Sequence, residues 1–506
     1  MTPYLMSKRG PMTTTLAEPL TMPEVIARPK MATDIPASIT TPNVVKTRLG
    51  TLNFFDGLPD AATVKTVYDN LDFQRGVQAF LTAIPAASAY AMRTGIRTFG
   101  PDNQTVLISE SLVDARSLFL TGNTETVYNV LWLDTHEGPL VIEMPPNALG
   151  VIDDFWMRYV TDVGSVGPDE GKGGKYLLLP PGYTGNVPEG YFVLRSRTYG
   201  HWMFFRGFAV NGDLQPAIES AKSQFRVYPL ARAADPPAMH FVNMSGRSFN
   251  TIHANDASFF EEVAHVVDDE PLEATDPETR GLLAAIGIRK GQPFAPDARM
   301  QRILADSAAV GNATARALAF STRDPNAYYY AKSAWKTLFI GNDWQYSPGG
   351  VLDPDARTCY FYFGTGNSPV WTKKMVGRSS QYAMAERDAA GEYLDGGKSY
   401  RMHLPPNIPV KNFWSILVYD PQTRSMLQTD QRFPSVSSQK KDLVVNADSS
   451  VDVYFGPTPP AGKEANWVQT VPGKAWWVIL RLYGPLDPWF DKSWRPGEIE
   501  CSPNPT

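Results

Sequence analysis

Between residues 61 and 92 apolar side chains recur at every third or fourth position: Val64, Val67, Tyr68 and Leu71, then Val77, Phe80, Leu81 and Ile84, until Pro85 interrupts the run. That period predicts two helices with the break at the proline. Beyond residue 104 the period changes. Short aromatic or β-branched runs cover residues 128–133, 140–144, 155–160, 175–179, 191–199 and 202–208, punctuated by Glu137-Gly138-Pro139, Gly171-Lys172-Gly173-Gly174 and Pro180-Pro181-Gly182. This spacing predicts an antiparallel sandwich or barrel. Helical spacing returns over residues 256–320. There Asp256 is placed to cap a helix carrying Phe259, Phe260, Val263 and Val267, and Asp297 one carrying Met300, Ile303 and Leu304. From about residue 328 strand patterns resume at 358–363, 400–404, 413–419, 451–455 and 475–483. The pattern is mainly β with helical segments, two β regions joined by a helical connection.

The last run holds one arginine in an otherwise apolar strand. Trp476, Val478, Leu480 and Leu482 share one face, and Trp477, Ile479, Arg481 and Tyr483 share the other. Both faces read as buried. A guanidinium in that setting needs acceptors, and two readings stay open: an internal carboxylate or carbonyl, or an anionic ligand.

With 506 residues, 43% hydrophobic and 12% aromatic, the chain can bury two cores, and the composition excludes a disordered protein. The formal net charge is −5 and no basic stripe with interleaved aromatics occurs, so nucleic acid is not an expected partner. No apolar run approaches 18 residues, and no membrane span is expected. The two cysteines, Cys359 and Cys501, lack the spacing of a disulfide framework or a zinc cage. Residues 1–44, rich in proline and threonine, read as an extended arm without a secretion signal, which places the chain in the cytoplasm as an expectation.

The stretch Asn123-Thr124-Glu125-Thr126-Val127-Tyr128, followed by Trp132-Leu133-Asp134 and the segment from Gly173 through Pro180-Pro181-Gly182-Tyr183, resembles the domain-of-unknown-function family 1254. Tyr400-Arg401-Met402-His403-Leu404-Pro405-Pro406, Phe413-Trp414-Ser415, Asn466-Trp467 and Leu480-Arg481-Leu482-Tyr483-Gly484-Pro485-Leu486 are similar to its usual companion, family 1214. The resemblance covers roughly residues 45 to 500. It implies two jelly-roll-like antiparallel β-sandwich domains joined by helices, in a homo-oligomer, and it carries no established chemistry. The expected organisation is an arm (1–44), a helical lead-in with the first sandwich (45–255), a helical connection (256–327) and the second sandwich (328–506). The motif of the first family usually reads Asn-x-Asp-Thr-x-Tyr, and Glu125 stands here in place of its aspartate. Asp162 also falls on a motif position of that family.

Known catalytic signatures are not met. Val163-Gly164-Ser165-Val166-Gly167 lacks the first glycine of a nucleophile elbow, and the loop from Gly167 to Gly173 is one residue short of a phosphate loop. Glu261, His265 and Asp269 share a helix face at the spacing of metal ligands, but Phe259, Val263 and Val267 form the natural core stripe opposite, so these polar residues read as solvated surface. No metal or cofactor is expected. Asp134 and Glu143 flank the turn at Gly138-Pro139, and Asp154, Arg158 and Asp162 share one face if residues 155–160 are a strand, with Arg158 placed to hold Asp162 charged.

The reading that follows is a hydrolase acting on a glycan-like or small amphipathic ligand in an aromatic-lined cavity. Glu125 and Asp162 are its candidate catalytic residues, and Asn123, Tyr128, Arg158, Trp414, Asn466, Trp467, Arg481 and Tyr483 its candidate binding residues. Two alternatives stand beside it: a non-catalytic ligand-binding or assembly module, and a metal-dependent oxygenase built on the His265 helix.

Overall fold

A computed structural model describes residues 30–210 and 212–502, so the expected arm before residue 30 lies outside the described residues. Its contacts form two compact units, one up to Tyr68 and one from Asp69 onward. In the first, Val44–Thr47, Gly50–Phe55 and Leu58–Pro59 make a small antiparallel sheet with largely exposed side chains. The Asn53 amide donates to Thr63 Oγ1 at 2.8 Å, and the Thr63 amide donates to the Asp60 carboxylate at 2.6 Å where the long helix begins.

The second unit contains two sheet-rich regions, each a pair of sheets with a core between them. In the first, a six-stranded sheet has the order His240–Asn243, Thr105–Ile108, Val127–Asp134, Gly200–Gly207, Leu149–Asp154 and Tyr159–Gly164. A four-stranded sheet has the order Phe192–Arg195, Gly174–Leu179, Leu140–Met144 and Arg226–Pro229. Leu131, Leu133, Met203 and Phe205 of the larger sheet pack on Leu140, Ile142, Tyr176 and Leu178 of the smaller. In the second region Ser380–Ala385, Trp477–Pro485, Val410–Tyr419 and Ser435–Ser437 form one sheet, and Trp467–Gln469, Val451–Gly456, Ser399–Leu404 and Ile499–Ser502 the other. Trp476, Val478, Leu480 and Leu482 point into the core between these two, as strand alternation requires.

The alternate side chains build a third core. Tyr128, Trp132, Trp202 and Phe204 from the first region and Leu417, Tyr419, Trp477 and Ile479 from the second join one buried cluster with the helices Ala61–Arg97, Phe259–Asp269, Ala298–Phe320 and Pro354–Phe363. Each central sheet is buried on both faces, which is why its strands read as nearly unbroken apolar runs. Asp297 caps the Ala298–Phe320 helix by accepting from the Met300 amide at 2.7 Å. Among the described residues no helix is long and apolar enough to cross a membrane.

Three expected elements differ. The helix Ala61–Arg97 runs unbroken through Pro85, whose neighbours Ile84, Ala86 and Ala87 are fully buried, so packing outweighs the missing backbone donor. Residues 155–158 are not strand; they turn between Leu149–Asp154 and Tyr159–Gly164, with the Met157 amide donating to the Asp154 carbonyl at 2.9 Å. Residues 358–363 lie in the helix Pro354–Phe363. That helix is started by Pro354 and by Asp353, which accepts from the Ala356 amide at 2.9 Å, and its last six residues are all buried, which erases the helical period from the sequence.

Candidate functional site

The two sheets that border the central core each place an arginine there. Arg206, near the end of Gly200–Gly207, lies opposite Tyr128 in the neighbouring strand, and Arg481 lies opposite Tyr382 on one side and Ser415 on the other. Each arginine therefore has a tyrosine as its cross-strand neighbour. The Arg481 guanidinium carbon is 5.2 Å from the Tyr382 ring centre and 5.9 Å from that of Tyr419, and the Arg206 carbon is 5.8 Å from that of Tyr483.

Hydrogen bonding leaves this group under-satisfied. Arg481 Nη2 donates to the Thr121 carbonyl and, at 2.7 Å, to the Tyr419 hydroxyl, which itself donates to the Gly122 carbonyl at 2.8 Å. Arg206 Nη2 reaches Ser380 Oγ at 3.4 Å. The Nε atoms of both arginines, the Tyr483 hydroxyl and Asn123 Nδ2 are buried without a partner among the described residues. Arg206 and Arg481 are only 4% and 5% exposed, so bulk solvent hardly reaches their guanidiniums. Of the two readings of Arg481, the structure shows a carbonyl and a phenol as its partners among the described residues, and no carboxylate in hydrogen-bond contact.

Glu125 is the acid beside Arg481. Asn123 shapes its loop: Asn123 Oδ1 accepts the Glu125 amide at 3.0 Å, the Thr126 amide at 3.2 Å and the Thr126 hydroxyl at 3.1 Å, while the Asn123 amide donates to the Tyr128 hydroxyl at 3.1 Å. This holds the Glu125 backbone and lets its carboxylate accept from Thr124 Oγ1 at 2.6 Å and from the Thr124 amide at 3.2 Å. Burial raises the pKa of Glu125; the Thr124 bonds and the charge of Arg481 pull it back without cancelling that effect. Burial likewise keeps the Tyr419 and Tyr483 phenols neutral.

Two cavities meet this cluster. An inner one of about 80 Å³ is lined by Tyr128, Arg206, Tyr382 and Arg481 together with the rings of Trp202, Phe204, Phe339, Tyr360 and Trp371. An outer cleft of about 570 Å³ has Glu125 in its wall, along with Gln431, Arg432, Ser435 and Lys440. Loops from both sheet-rich regions form the cleft, and Thr124 Oγ1 meets Ser435 Oγ across it at 2.9 Å.

Of the residues singled out in the sequence, Asn123, Glu125, Tyr128, Arg481 and Tyr483 come together here. Most of the others stand elsewhere. Asp162 accepts from Ser368 Oγ at 2.6 Å and Tyr159 Oη at 3.3 Å, and burial lifts its pKa to about 6; it borders a small void whose wall includes Arg206, Phe204 and Trp371 of the inner cavity. Arg158 bonds Asp154 through Nε at 2.7 Å across the turn, not Asp162 along a strand. Trp414 packs in the core of the second sandwich. Asn466 clamps a loop, donating to the carbonyls of Val444 at 2.8 Å and Asp452 at 2.9 Å, and Trp467 Nε1 donates to the Gly456 carbonyl at 2.9 Å. Asp134 Oδ1 lies 2.7 Å from His136 Nδ1 and Glu143 forms an ion pair with Lys175 at 2.7 Å, so the two carboxylates have separate partners. On the helix of His265, Asp269 binds Arg93 at 2.6 Å and the imidazole stacks on Tyr90 at 5.3 Å.

The sequence reading missed Arg206, Tyr382 and Tyr419. Arg206 had a usable signal, since it closes the apolar run Trp202-Met203-Phe204-Phe205 in the way Arg481 sits in its own strand. Tyr382 and Tyr419 carried none beyond being aromatic.

Comparison with known proteins bears on the scaffold. Residues 103–229 match the family DUF1254 and residues 379–487 match DUF1214, each described as a protein of unknown function. These are the two families the sequence resembles. Every cluster residue from Asn123 to Arg206 lies in the first match, and Tyr382, Ser415, Tyr419, Arg481 and Tyr483 lie in the second. Among solved structures, the VPA0106 protein from Vibrio parahaemolyticus is similar at 19% identity with a TM-score of 0.52, over 85% of this chain and 100% of that one, which shows a shared fold. An uncharacterized protein from Burkholderia cenocepacia aligns at 13% identity and a TM-score of 0.39, over 86% and 96% of the two chains. No curated protein matches the chain.

Proposed function

We propose that the chain is a hydrolase for a small amphipathic anion, whose charged end rests on Arg206 and Arg481 and whose bond is broken at Glu125. The observation that carries this reading is the pair of buried guanidiniums, each with an unpartnered Nε, beside the unpartnered Tyr483 hydroxyl and within one aromatic cavity. Donors left idle in a desolvated site are costly, and an oxyanion satisfies them. Size narrows the ligand. About 80 Å³ is well below the roughly 150 Å³ cavity that holds a benzene ring, so the inner cavity accepts a carboxylate or phosphate with a few carbons rather than a sugar ring. The outer cleft, at about 570 Å³, is large enough for a sugar, and we place the remainder of a substrate there, although the two cavities share no lining residue. A glutamic acid whose pKa is raised can hold a proton for a leaving oxygen, and the cleft admits the attacking water.

No single cavity brings Glu125 together with a second carboxylate or with the two arginines: Glu125 lines the outer cleft, Arg206 and Arg481 the inner cavity, and Asp162 a small void that shares Arg206. That separation favours a second reading, a binding module without turnover. Release of nitrophenol from 4-nitrophenyl succinate, 4-nitrophenyl phosphate and 4-nitrophenyl glucuronide decides between them. Turnover of one of these that falls at least 100-fold in Glu125→Gln, with butyrate binding kept, supports the hydrolase. Butyrate binding without turnover on any of the three supports the module, and turnover unchanged in Glu125→Gln refutes the role given to that residue.

A further inference from the structure

A third cleft, of about 580 Å³, lies elsewhere in the same compact unit and shares no lining residue with the two cavities described above. Four arginines line it: Arg158, Arg195, Arg197 and Arg357. Two carboxylates also line it, and both are already engaged. Asp154 takes Arg158 Nε at 2.7 Å and the Trp156 and Arg158 amides, while Asp276 caps a helix by accepting from the Glu278 amide at 3.0 Å and the Thr279 amide at 2.9 Å. No hydrogen bond or ion pair engages the side chains of Arg195, Arg197 and Arg357 among the described residues.

The cleft also gathers buried polar atoms that lack partners: Arg158 Nη2, Arg357 Nε, the Tyr346 hydroxyl and Asn367 Oδ1. Tyr346 and Asn367 are 2% and 5% exposed, so these two are not solvated surface groups. Arg357 is half-buried in the first turn of Pro354–Phe363, and burial lowers its pKa more than the nearby charge of Asp276 raises it. Three of these atoms are donors and Asn367 Oδ1 is an acceptor, and a folded chain leaves such groups idle in one concavity only at a free energy penalty. Planar guanidiniums on several walls suit a tetrahedral oxyanion carrying more than one charge. Trp344 and Tyr159, with ring centres 5.2 Å apart, add an aromatic wall for the body of the ligand.

We propose that this cleft is a second ligand site, which takes a compact phosphate or pyrophosphate ester and acts independently of the Arg206–Arg481 cavity. Calorimetric titration of the full chain with inorganic pyrophosphate, adenosine diphosphate and citrate tests it. The expected result is binding of pyrophosphate and the nucleoside diphosphate that weakens at least tenfold in Arg357→Met and in the exposed pair Arg195→Ala/Arg197→Ala, weakens with added salt, and is unchanged in Arg481→Met. Failure of both phosphates to bind overturns the proposal. So does binding that the Arg195→Ala/Arg197→Ala protein retains in full, or that disappears in Arg481→Met. Citrate binding as tight as pyrophosphate binding overturns the assignment to phosphate.

Discussion

Replacing Arg481 by methionine keeps much of the apolar stem while removing the charge and all five donors. On the unfavourable side, the Thr121 carbonyl loses the bond from Arg481, at about 1–3 kcal/mol for an orphaned acceptor. Tyr419 keeps its bond to the Gly122 carbonyl, and Glu125, without its cationic neighbour, takes up a proton more readily. On the favourable side, a buried Nε without a partner disappears, which recovers a penalty of the same order, about 1–3 kcal/mol. The two nearly offset. We expect a melting midpoint within a few degrees of the parent, since about 1 kcal/mol moves a domain of 150–250 residues by roughly 2–4 °C and a larger unit by less. Anion binding responds differently. Two hydrogen bonds from a charged donor at about 1.5–3 kcal/mol each amount to a loss of roughly 10²- to 10⁴-fold in affinity. A thermal scan and a calorimetric titration with butyrate measure both quantities. A fall of 10 °C or more would identify Arg481 as a structural pin and refute the ligand reading, and so would an unchanged butyrate affinity.

Lys336 and Glu386 form an ion pair at 2.8 Å with side chains 2% and 5% exposed, so Lys336→Met should destabilise by about 3–5 kcal/mol in denaturant unfolding, and adding Glu386→Met should restore most of it. Burial raises the pKa of Glu262 to about 8, so its stabilising proton is present below about pH 4.5 and lost as pH rises through 8; Glu262→Gln should melt above the parent at pH 8.5 and match it near pH 4.5, with equal melts at both pH values as the contrary result. Gly366 adopts φ +79°, and a Cβ there would sit 2.5 Å from the Trp202 ring and 3.0 Å from an Asp153 carboxylate oxygen. Gly366→Ala should therefore lower the melting point and weaken butyrate binding by displacing Trp202 from the inner cavity, and a melt and an affinity equal to the parent's would contradict that.

Which parts of this architecture could be read from the chain follows from how each element is buried. Residues 475–483 showed their two faces because tryptophan, valine and leucine alternate with the arginine, and the structure sends the two sets into different cores. The Pro354–Phe363 helix was hidden because every residue from Thr358 to Phe363 is buried, leaving no polar face to give the period. The Asn123 motif pointed to the loop that carries Glu125, whereas Asn466 and Trp467 belong to a clamp whose partners, Val444, Asp452 and Gly456, are backbone carbonyls that no side-chain pattern reveals. Asp162 and Glu125 share a family resemblance, but their cavity assignments depend on strand register and loop path, which a one-dimensional pattern does not fix.

We propose that the Arg206–Arg481 cavity binds a small organic anion. Titrating the parent chain with butyrate and with its neutral analogue butanol isolates the charge from the apolar body. Butyrate should bind saturably at one site, at least 100-fold tighter than butanol, and the binding should be lost in Arg206→Met/Arg481→Met. Butanol binding as tight as butyrate binding, or butyrate binding that the double variant keeps, would contradict it.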